Sequence, residues 1–172
     1  MASKIDKAVF DTGPFIHLNE INLLHILNLF KSIMAVDEVF NELNKNAALH
    51  GKIKNAGNIK LFQLKPKSKD ISMLLAERYN INLAESSSIS LAMQEKADIF
   101  ITDDLDARTI AKNFNIEVHG TIGIIVRAFR ESFISRETAI NKIKELYGKS
   151  SLFITKDLVD WAIKEIMEYG KH

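Results

Sequence analysis

The amino-acid sequence predicts an α/β fold in which mainly parallel strands form a central sheet between helices. Short apolar runs, such as Lys7–Phe10 and Asp98–Thr102, alternate with longer segments whose apolar residues recur at helical spacing. This alternation is typical of parallel strands joined by helices. The 172 residues, 47% of them hydrophobic, are enough for one domain with its own core. We predict a single domain over residues 1–172, in which residues 132–172 are a C-terminal helical extension.

The first half of the chain is predicted to contain three strands and at least two helices. The candidate strands are Lys7–Phe10, Ile33–Val36 and, at an edge of the sheet, Ile59–Leu64. Pro14 suits the first turn of a helix, where no backbone N–H is needed. That helical pattern continues to Phe30, with a break near Asn19. Asp37 and Glu38 place negative charge at the start of a second helix, where the helix dipole favours it.

The second half is predicted to contain further strands and helices. Helices are expected over 70–79, 84–97, 105–114 and 121–130, and strands over 98–102 and 116–119. Ser135 and Thr155 are candidate N-caps of two final helices, which end near Tyr147 and Tyr169. Trp161 lies among apolar residues of the last helix, so we expect it to pack in the core. The final helices are expected to pack on the domain or to form a dimer surface.

Composition excludes several kinds of protein. The chain has no cysteine, so it can form neither disulfides nor thiolate metal sites. The segment Met1–Lys7 has no apolar stretch typical of a signal peptide, and no apolar run is long enough to cross a bilayer. We therefore expect a cytoplasmic protein without a membrane partner. The five histidines are scattered, and none has the His-Glu-x-x-His spacing of helical zinc sites.

Net charge is close to zero, at +1, so any contact with nucleic acid must come from a local basic patch. Residues 44–69 contain seven lysines and no acidic residue. Within this stretch, Lys52, Lys54 and Lys60 are candidate RNA-binding residues. The alternative interpretation is a solvated connecting segment.

Two candidate functional positions directly follow strands. Asp11 follows the first strand, and the pair Asp103 and Asp104 follows the strand that ends at Thr102. In open parallel sheets, functional groups gather at the carboxyl ends of strands. The structural alternative is that Asp11 and one member of the pair cap the helices that follow, while Arg108 pairs with the other.

Two glutamates complete a set of acidic candidates. Glu85 shares a helix face with Ser88, Ile89 and Ala92, so it points toward the core, where charged groups are seldom buried without partners. The alternative is a first-turn glutamate favoured by the helix dipole. Glu42 borders the apolar stripe of its helix. Its position alone does not indicate a function, and it becomes a candidate only in combination with the other acidic residues.

The combination resembles the PIN-domain family of nucleases. The motifs that carry the resemblance are Val9-Phe10-Asp11-Thr12-Gly13-Pro14, Val39-Phe40-Asn41-Glu42-Leu43, Leu83-Ala84-Glu85-Ser86 and Ile101-Thr102-Asp103-Asp104. Asp106-Ala107-Arg108 and Gly120-Thr121-Ile122-Gly123 are similar to a prokaryotic subgroup close to the VapC-type toxin ribonucleases. The resemblance runs from about Val9 to Val126. It implies a three-layer α/β/α fold with a central, mainly parallel sheet.

The resemblance also implies a set of site residues. The acidic family positions map onto Asp11, Glu42, Glu85 and one member of the Asp103–Asp104 pair. Counting two residues past Thr102 favours Asp104, with Asp103 as an auxiliary ligand. Glu85 stands where many family members have aspartate. Thr12 is expected to position a ligand or phosphate through its hydroxyl.

These positions imply a metal-dependent ribonuclease. Carboxylates without histidine or thiol ligands suit hard cations, here Mg²⁺ or Mn²⁺. The resemblance further implies cleavage of RNA, with a small antitoxin protein and a second copy of the chain as expected partners. Two alternatives remain: a catalytically silent PIN-fold module that binds a partner protein, and a haloacid-dehalogenase-like phosphohydrolase. The latter requires a second acid two residues after the first, where this chain has Gly13.

Overall fold

A five-stranded, all-parallel sheet forms the centre of the protein. The computed structural model describes residues 5–170. The strands are β1 (Lys7–Phe10), β2 (Ser32–Ala35), β3 (Ile59–Leu61), β4 (Ile99–Ile101) and β5 (Val118–His119). Their order across the sheet is β3-β2-β1-β4-β5, and every adjacent pair is parallel. The prediction of an α/β fold with a parallel central sheet is confirmed.

Helices cover both faces of this sheet. They are α1 (Thr12–Glu20), a 3₁₀ helix (Leu24–Leu29), α2 (Asp37–Leu43), α3 (Ala47–Asn55), α4 (Pro66–Tyr79), α5 (Leu83–Glu95), α6 (Leu105–Asn113), α7 (Thr121–Arg130), α8 (Arg136–Lys149) and α9 (Lys156–Glu168). The chain crosses from β1 to β3 in one direction and from β3 to β5 in the other. Because such crossovers are right-handed, the helices that join β1, β2 and β3 lie on the opposite face from those that join β3, β4 and β5. Helices α7 and α8, which follow the last strand, contact α1 on the first of these faces. This is the three-layer arrangement.

The last two helices pack on the rest of the protein. Helix α8 contacts α1 and α7, and α9 contacts α7 and α8. Their buried side chains include Ile143, Leu146 and Ile166. The prediction that Trp161 packs in the core is wrong, since this side chain is 52% exposed. Helix α9 buries the neighbouring stripe of Val159, Ala162 and Ile166 instead.

Several predicted boundaries shift in the structure. Helix α3 falls inside the lysine-rich stretch, where no helix was predicted, and α4 begins at Pro66 rather than at Asp70. Strands β3 and β5 are shorter than the sequence indicates. Residues 1–4, 171 and 172 lie outside the described part, so the expectation for the amino-terminal segment is only partly covered. Among residues 5–170, no helix has the length and apolar character needed to cross a membrane.

The parallel strands give the sheet two functionally different edges. All five strands end at the same edge, called here the carboxyl edge, and begin at the opposite amino edge. Helix α5 runs from the carboxyl edge to the amino edge, where the Lys7 Nζ donates a hydrogen bond to the carbonyl of Glu95. The first turn of α5 therefore lies beside the ends of β1 and β4.

Candidate functional site

The carboxyl edge brings together the four carboxylates of Asp11, Glu42, Glu85 and Asp104. They come from the end of β1, from α2, from the first turn of α5 and from the start of α6. Burial is the main cause of the raised pKa of Glu85 and of Asp11. Repulsion from the other three carboxylates adds to that of Glu85, and repulsion from Glu42 and Asp104 adds to that of Asp11. Four residues that are far apart in the sequence therefore share one electrostatic environment.

Asp11 is the buried member of this acidic cluster, with only 7% of its surface exposed. Its carboxylate accepts hydrogen bonds from the backbone N–H of Thr12 at 2.8 Å and from the hydroxyl of Thr102 at 2.9 Å. Burial, assisted by the neighbouring negative charges of Glu42 and Asp104, raises the pKa of Asp11 to about 6. Asp11 is also the N-cap of α1, so both sequence interpretations describe it.

Glu42 is connected to the first strand through a threonine hydroxyl. The Thr12 Oγ1 donates a hydrogen bond to Glu42 Oε2 at 2.5 Å. Thr12 is itself buried, whereas Glu42 is half-buried. The hydroxyl thus fixes the orientation of a carboxylate beside Asp11.

Glu85 has both of the properties that its sequence position indicated. It forms a capping box with Asn82, in which Glu85 Oε2 accepts from the Asn82 N–H at 3.1 Å and Asn82 accepts from the Glu85 N–H. It also faces the other carboxylates. Burial, followed by repulsion from Asp104, Asp11 and Glu42, raises the pKa of Glu85 to about 7.

Asp104 is the solvent-exposed member of the acidic cluster. It caps α6, because its Oδ1 accepts a hydrogen bond from the Ala107 N–H at 2.7 Å. The hydroxyl of Thr102 accepts from the Asp104 N–H at 3.2 Å and donates to Asp11. Thr102 therefore links the first and last carboxylates of the cluster, a role that its position within an apolar strand did not reveal.

Asp103 has a different environment from its neighbour. Its carboxylate, 9% exposed, lies 2.7 Å from His17 Nδ1 and accepts hydrogen bonds from the Thr121 N–H at 2.7 Å and hydroxyl at 2.6 Å. Burial alone would raise the pKa of Asp103, but these hydrogen bonds hold it below its usual range. We call this group of His17, Asp103 and Thr121 the Asp103 clasp. It ties α1 and α7 to the loop that carries Asp104.

A glycine makes the close packing at this clasp possible. A Cβ at Gly120 would collide with the Arg108 guanidinium and approach Asp103 Oδ1 to 2.7 Å. The Arg108 Nε donates a hydrogen bond to the carbonyl of Thr102 at 3.0 Å. Arg108 therefore contacts the backbone at this point, rather than pairing with an aspartate as the structural alternative expected. The clasp was not predicted, because nothing in the sequence joins His17 to a residue 86 positions away.

The negative charge of the acidic cluster is not neutralised by the protein. Within residues 5–170, none of its four carboxylates forms an ion pair with a lysine, arginine or histidine. Two carboxylates held about 5 Å apart at an effective dielectric of 20 would repel by roughly 3 kcal/mol. The arrangement is therefore costly unless protons or a cation offset the charge.

The cluster has the ligand chemistry of a divalent-cation site but an open spacing. Oxygen ligands without histidine or sulfur are those that Mg²⁺ and Mn²⁺ prefer. In the described part of the chain, however, no three acidic or histidine side chains converge closely enough to hold an ion. Asp104 and Glu85 each direct one oxygen to a backbone N–H.

The candidate RNA-binding lysines do not lie beside this cluster. The Lys52 Nζ donates to Asn19 Oδ1 at 3.1 Å, near the end of α1, and Lys54 lies in the last turn of α3. Both are therefore toward the amino edge. Lys60 lies on β3 opposite Met34, and all three are exposed. By contrast, Lys45 follows Glu42 by three residues.

Two of the cavities formed by residues 5–170 border the sheet, and neither is centred on the carboxylates. The larger, of about 810 Å³, lies between β5, α7 and α9 and is lined by Ile101, His119 and Trp161 among others. The smaller, of about 300 Å³, lies between the start of α2, the segment after β3, α4 and the start of α5. Only the smaller one borders the two helices that carry Glu42 and Glu85.

Comparison with known proteins identifies one family. Residues 7–168, nearly the whole chain, match the DUF3368 family model, which is described as a PIN domain. The match includes the two C-terminal helices. A comparison with curated protein sequences gives no match.

Proposed function

Since the chain belongs to the PIN-domain family, we propose that it is a divalent-metal-dependent endoribonuclease. PIN domains are nucleases as a class, which supports phosphodiester cleavage in general terms. The observation that carries the finer proposal is the acidic cluster, in which burial and the neighbouring carboxylates raise the pKa of Asp11 and Glu85. None of its four carboxylates has an ion-pair partner in residues 5–170. The proposed metal ligands are Asp11, Glu42, Glu85 and Asp104.

The residues of the cluster have separate tasks in this proposal. When bound, Mg²⁺ or Mn²⁺ would lower the pKa of a water molecule and offset charge on the phosphoryl oxygens. Thr12 and Thr102 orient Glu42 and Asp11 through their hydroxyls. Asp104 and Glu85 use Oδ1 and Oε2 for the caps, which leaves their second oxygens for a ligand. Asp103 positions the loop through its clasp.

Cleavage of single-stranded RNA tests this function directly. We expect the purified protein to cut RNA in Mg²⁺ or Mn²⁺ and to stop in EDTA. Asp11→Asn should lose activity at least about a hundredfold, since it removes the buried ligand charge while keeping the shape. The control is Asp106→Asn, the same substitution at an exposed aspartate in the first turn of α6. Cleavage that persists in EDTA, or full activity of Asp11→Asn, would refute the metal mechanism.

A phosphohydrolase is the rival enzyme class. Such an enzyme would form an aspartyl-phosphate at Asp11, with a second acid two residues later acting on the leaving group. Gly13 occupies that position and packs against His17. We expect neither beryllofluoride binding at Asp11 nor turnover of a small phosphomonoester. Phosphatase activity that disappears in Asp11→Asn would favour the phosphohydrolase over the ribonuclease.

We also propose that the nuclease is the toxin of a toxin–antitoxin pair and forms a homodimer. The toxin role follows from the resemblance of its motifs to VapC-type nucleases. It is tested by looking for an adjacent reading frame that encodes a small protein able to suppress growth arrest.

The homodimer is supported by exposed aromatic side chains of the C-terminal extension, Phe153 at 91% and Trp161 at 52%. Sedimentation velocity of the parent and Trp161→Ser tests it. A silent binding module is disfavoured because all four acidic positions are filled.

A further inference from the structure

The smaller cavity has the character of a ligand site rather than a packing defect. Its volume is about 300 Å³, and its walls include the apolar side chains of Phe62, Met73 and Leu83 together with Glu38 and Lys69. Met73 is 59% exposed and Leu83 is 48% exposed. Apolar walls combined with a few polar groups are typical of pockets that bind small molecules.

This cavity adjoins the acidic cluster along two helices. On α2, Glu38 lines the cavity and Glu42, one turn later, belongs to the cluster. On α5, Leu83 lines the cavity and Glu85 follows within the same turn. The Ser87 hydroxyl of α5 donates a hydrogen bond to Glu38 Oε1 of α2 at 3.2 Å, which connects the two helices. One helical turn rises about 5.4 Å, so cavity and cluster are neighbours.

The groups around the cavity match the parts of one nucleotide. A nucleobase has two apolar faces, which favour contact with apolar or aromatic side chains, and a charged phosphate on a flexible linker. Met73 and Leu83 offer apolar surface, and Lys69 brings a positive charge to the same cavity. Bases of a double helix are stacked and cannot enter such a cavity, whereas bases of a single strand can be splayed out.

We propose that the cavity between α2, α4 and α5 is a base-binding subsite, which takes one unpaired nucleobase of single-stranded RNA next to the phosphate held at the acidic cluster. This inference rests on the proposed ribonuclease function and extends it. It assigns Met73 and Leu83 to contacts with the base and Lys69 to the neighbouring phosphate. It also gives the enzyme a reason to prefer single-stranded over double-stranded RNA.

Binding of two strands that differ only in their bases tests the subsite without relying on cleavage. The probes are a fluorescent mixed-sequence RNA and a ribose-phosphate strand of the same length without bases, both measured in EDTA. Because the two carry the same phosphates, their electrostatic attraction to the protein is the same. We expect the parent to bind the base-containing strand at least about fivefold more tightly, the lower end of the roughly 5- to 150-fold range expected for one stacked base.

Variants at the cavity should remove that difference. Met73→Ala and Leu83→Ala should each reduce the preference for the base-containing strand at least about threefold, while affinity for the base-free strand stays unchanged. Met167→Ala, at an exposed methionine of α9 with 43% exposure, is the matched control and should behave like the parent. A parent without preference for bases, or equal effects of Met73→Ala and Met167→Ala, would overturn the subsite. If the parent binds both strands equally but still cleaves RNA in the presence of metal, only the subsite is refuted. If it prefers the base-containing strand but does not cleave RNA, only the ribonuclease function is refuted.

Discussion

Three of the four carboxylates of the acidic cluster also cap helices, and this second role allows the effect of their charge to be separated from that of their shape. Asp11 and Asp104 cap helices, and Glu85 completes a capping box. Asparagine caps a helix about as well as aspartate does. The caps therefore explain the size and polarity of these side chains but not their negative charge. Burial, with repulsion from the other carboxylates, raises the pKa of Asp11 and Glu85, so holding these groups charged costs stability.

Neutralising one carboxylate should therefore stabilise the metal-free protein. Asp104→Asn and Glu85→Gln keep the capping geometry and remove one charge each. In EDTA near pH 8, we expect both to melt above the parent, by about 2–4 °C for each kcal/mol of repulsion relieved. The double variant should gain less than the sum, because the groups interact in one site. Thermal unfolding followed by circular dichroism measures this.

Asp106→Asn is the control for that comparison. Asp106 lies exposed in the first turn of α6, outside the acidic cluster, so its neutralisation should leave the melting temperature unchanged or slightly lower it through the helix dipole. If Asp104→Asn and Glu85→Gln melt below the parent and respond to Mn²⁺ as it does, the two residues are caps only. Their assignment as metal ligands would then fail.

The Asp103 clasp makes the opposite prediction, because its carboxylate is fully satisfied. Thr121→Val removes the hydroxyl donor to Asp103 and should cost about 1–3 kcal/mol, whereas Thr121→Ser should stay near the parent. A group with a lowered pKa stabilises the fold above its ordinary pKa near 4, and this contribution is lost as the pH falls. Urea unfolding at pH 7 and at pH 3.5 should show the difference shrinking at the lower pH. Equal stability of the valine and serine variants would contradict the clasp.

At the scale of elements, the sequence predicts what depends on local pattern. Buried runs such as Phe10 and its neighbours in β1, and the caps Ser135 and Thr155, are visible because strand burial and capping involve adjacent residues. Helix α3 was missed because only Leu49 and Ile53 of its nine residues are buried. Two residues at i and i+4 give too little apolar periodicity to distinguish a helix from a lysine-rich loop.

The same distinction applies to the site: positions set by local sequence pattern could be predicted, whereas those set by contacts between distant segments could not. Asp11, Glu85 and Asp104 could be singled out because each lies at a strand end or a helix start, and parallel strands bring these points to one edge. Glu42, in the last turn of α2, was added only by the family resemblance. The base-binding subsite and the clasp could not, because they depend on contacts between α2, α4 and α5 and between α1 and α7. In α9, the sequence contains two adjacent apolar stripes, and packing against α7 and α8 selects the one without Trp161.

Element positions also give a prediction for the lysines. Lys45 follows Glu42 closely in the chain and Lys69 lines the proposed subsite, whereas Lys52 and Lys54 lie toward the amino edge. We expect the double change of Lys45 and Lys69 to alanine to weaken RNA binding and to flatten the log–log salt dependence by up to about two units, one for each lost phosphate contact. Fluorescence anisotropy over a range of KCl concentrations measures the slope.

The pair Lys52 and Lys54, changed together to alanine, is the matched control for charge. These residues are also exposed, so their removal lowers the net charge equally. If the position of a lysine matters more than its charge, this second double variant should keep the slope of the parent. A larger loss for Lys52 and Lys54 than for Lys45 and Lys69 would place the RNA along α3 and return the contact to the lysines that the sequence first suggested.

At the scale of the whole molecule, the site couples folding, protons and cations. Asp11 and Glu85 have pKa values of about 6 and 7, above their ordinary values of 3.8 and 4.5. Between about pH 4 and pH 7, the folded protein therefore holds protons that the unfolded chain releases. The metal-free protein should lose stability as the pH rises through this window, by on the order of a few kcal/mol. Below this window, loss of the Asp103 contribution destabilises it again.

A divalent cation should reverse that trend, because it replaces the protons that neutralise the cluster at low pH. Cations bind deprotonated carboxylates, so the increase in melting temperature caused by Mn²⁺ should be small near pH 5.5 and should grow toward pH 8. Melting curves with EDTA and with Mn²⁺ at several pH values measure this, and Mn²⁺ titration by calorimetry should show proton release that declines as the pH rises past 7. In Asp11→Asn and Glu85→Gln, both the pH dependence without metal and the gain with Mn²⁺ should flatten, while Asp106→Asn should follow the parent. A gain from Mn²⁺ that is independent of pH, or equal in all four proteins, would mean that the ion binds elsewhere.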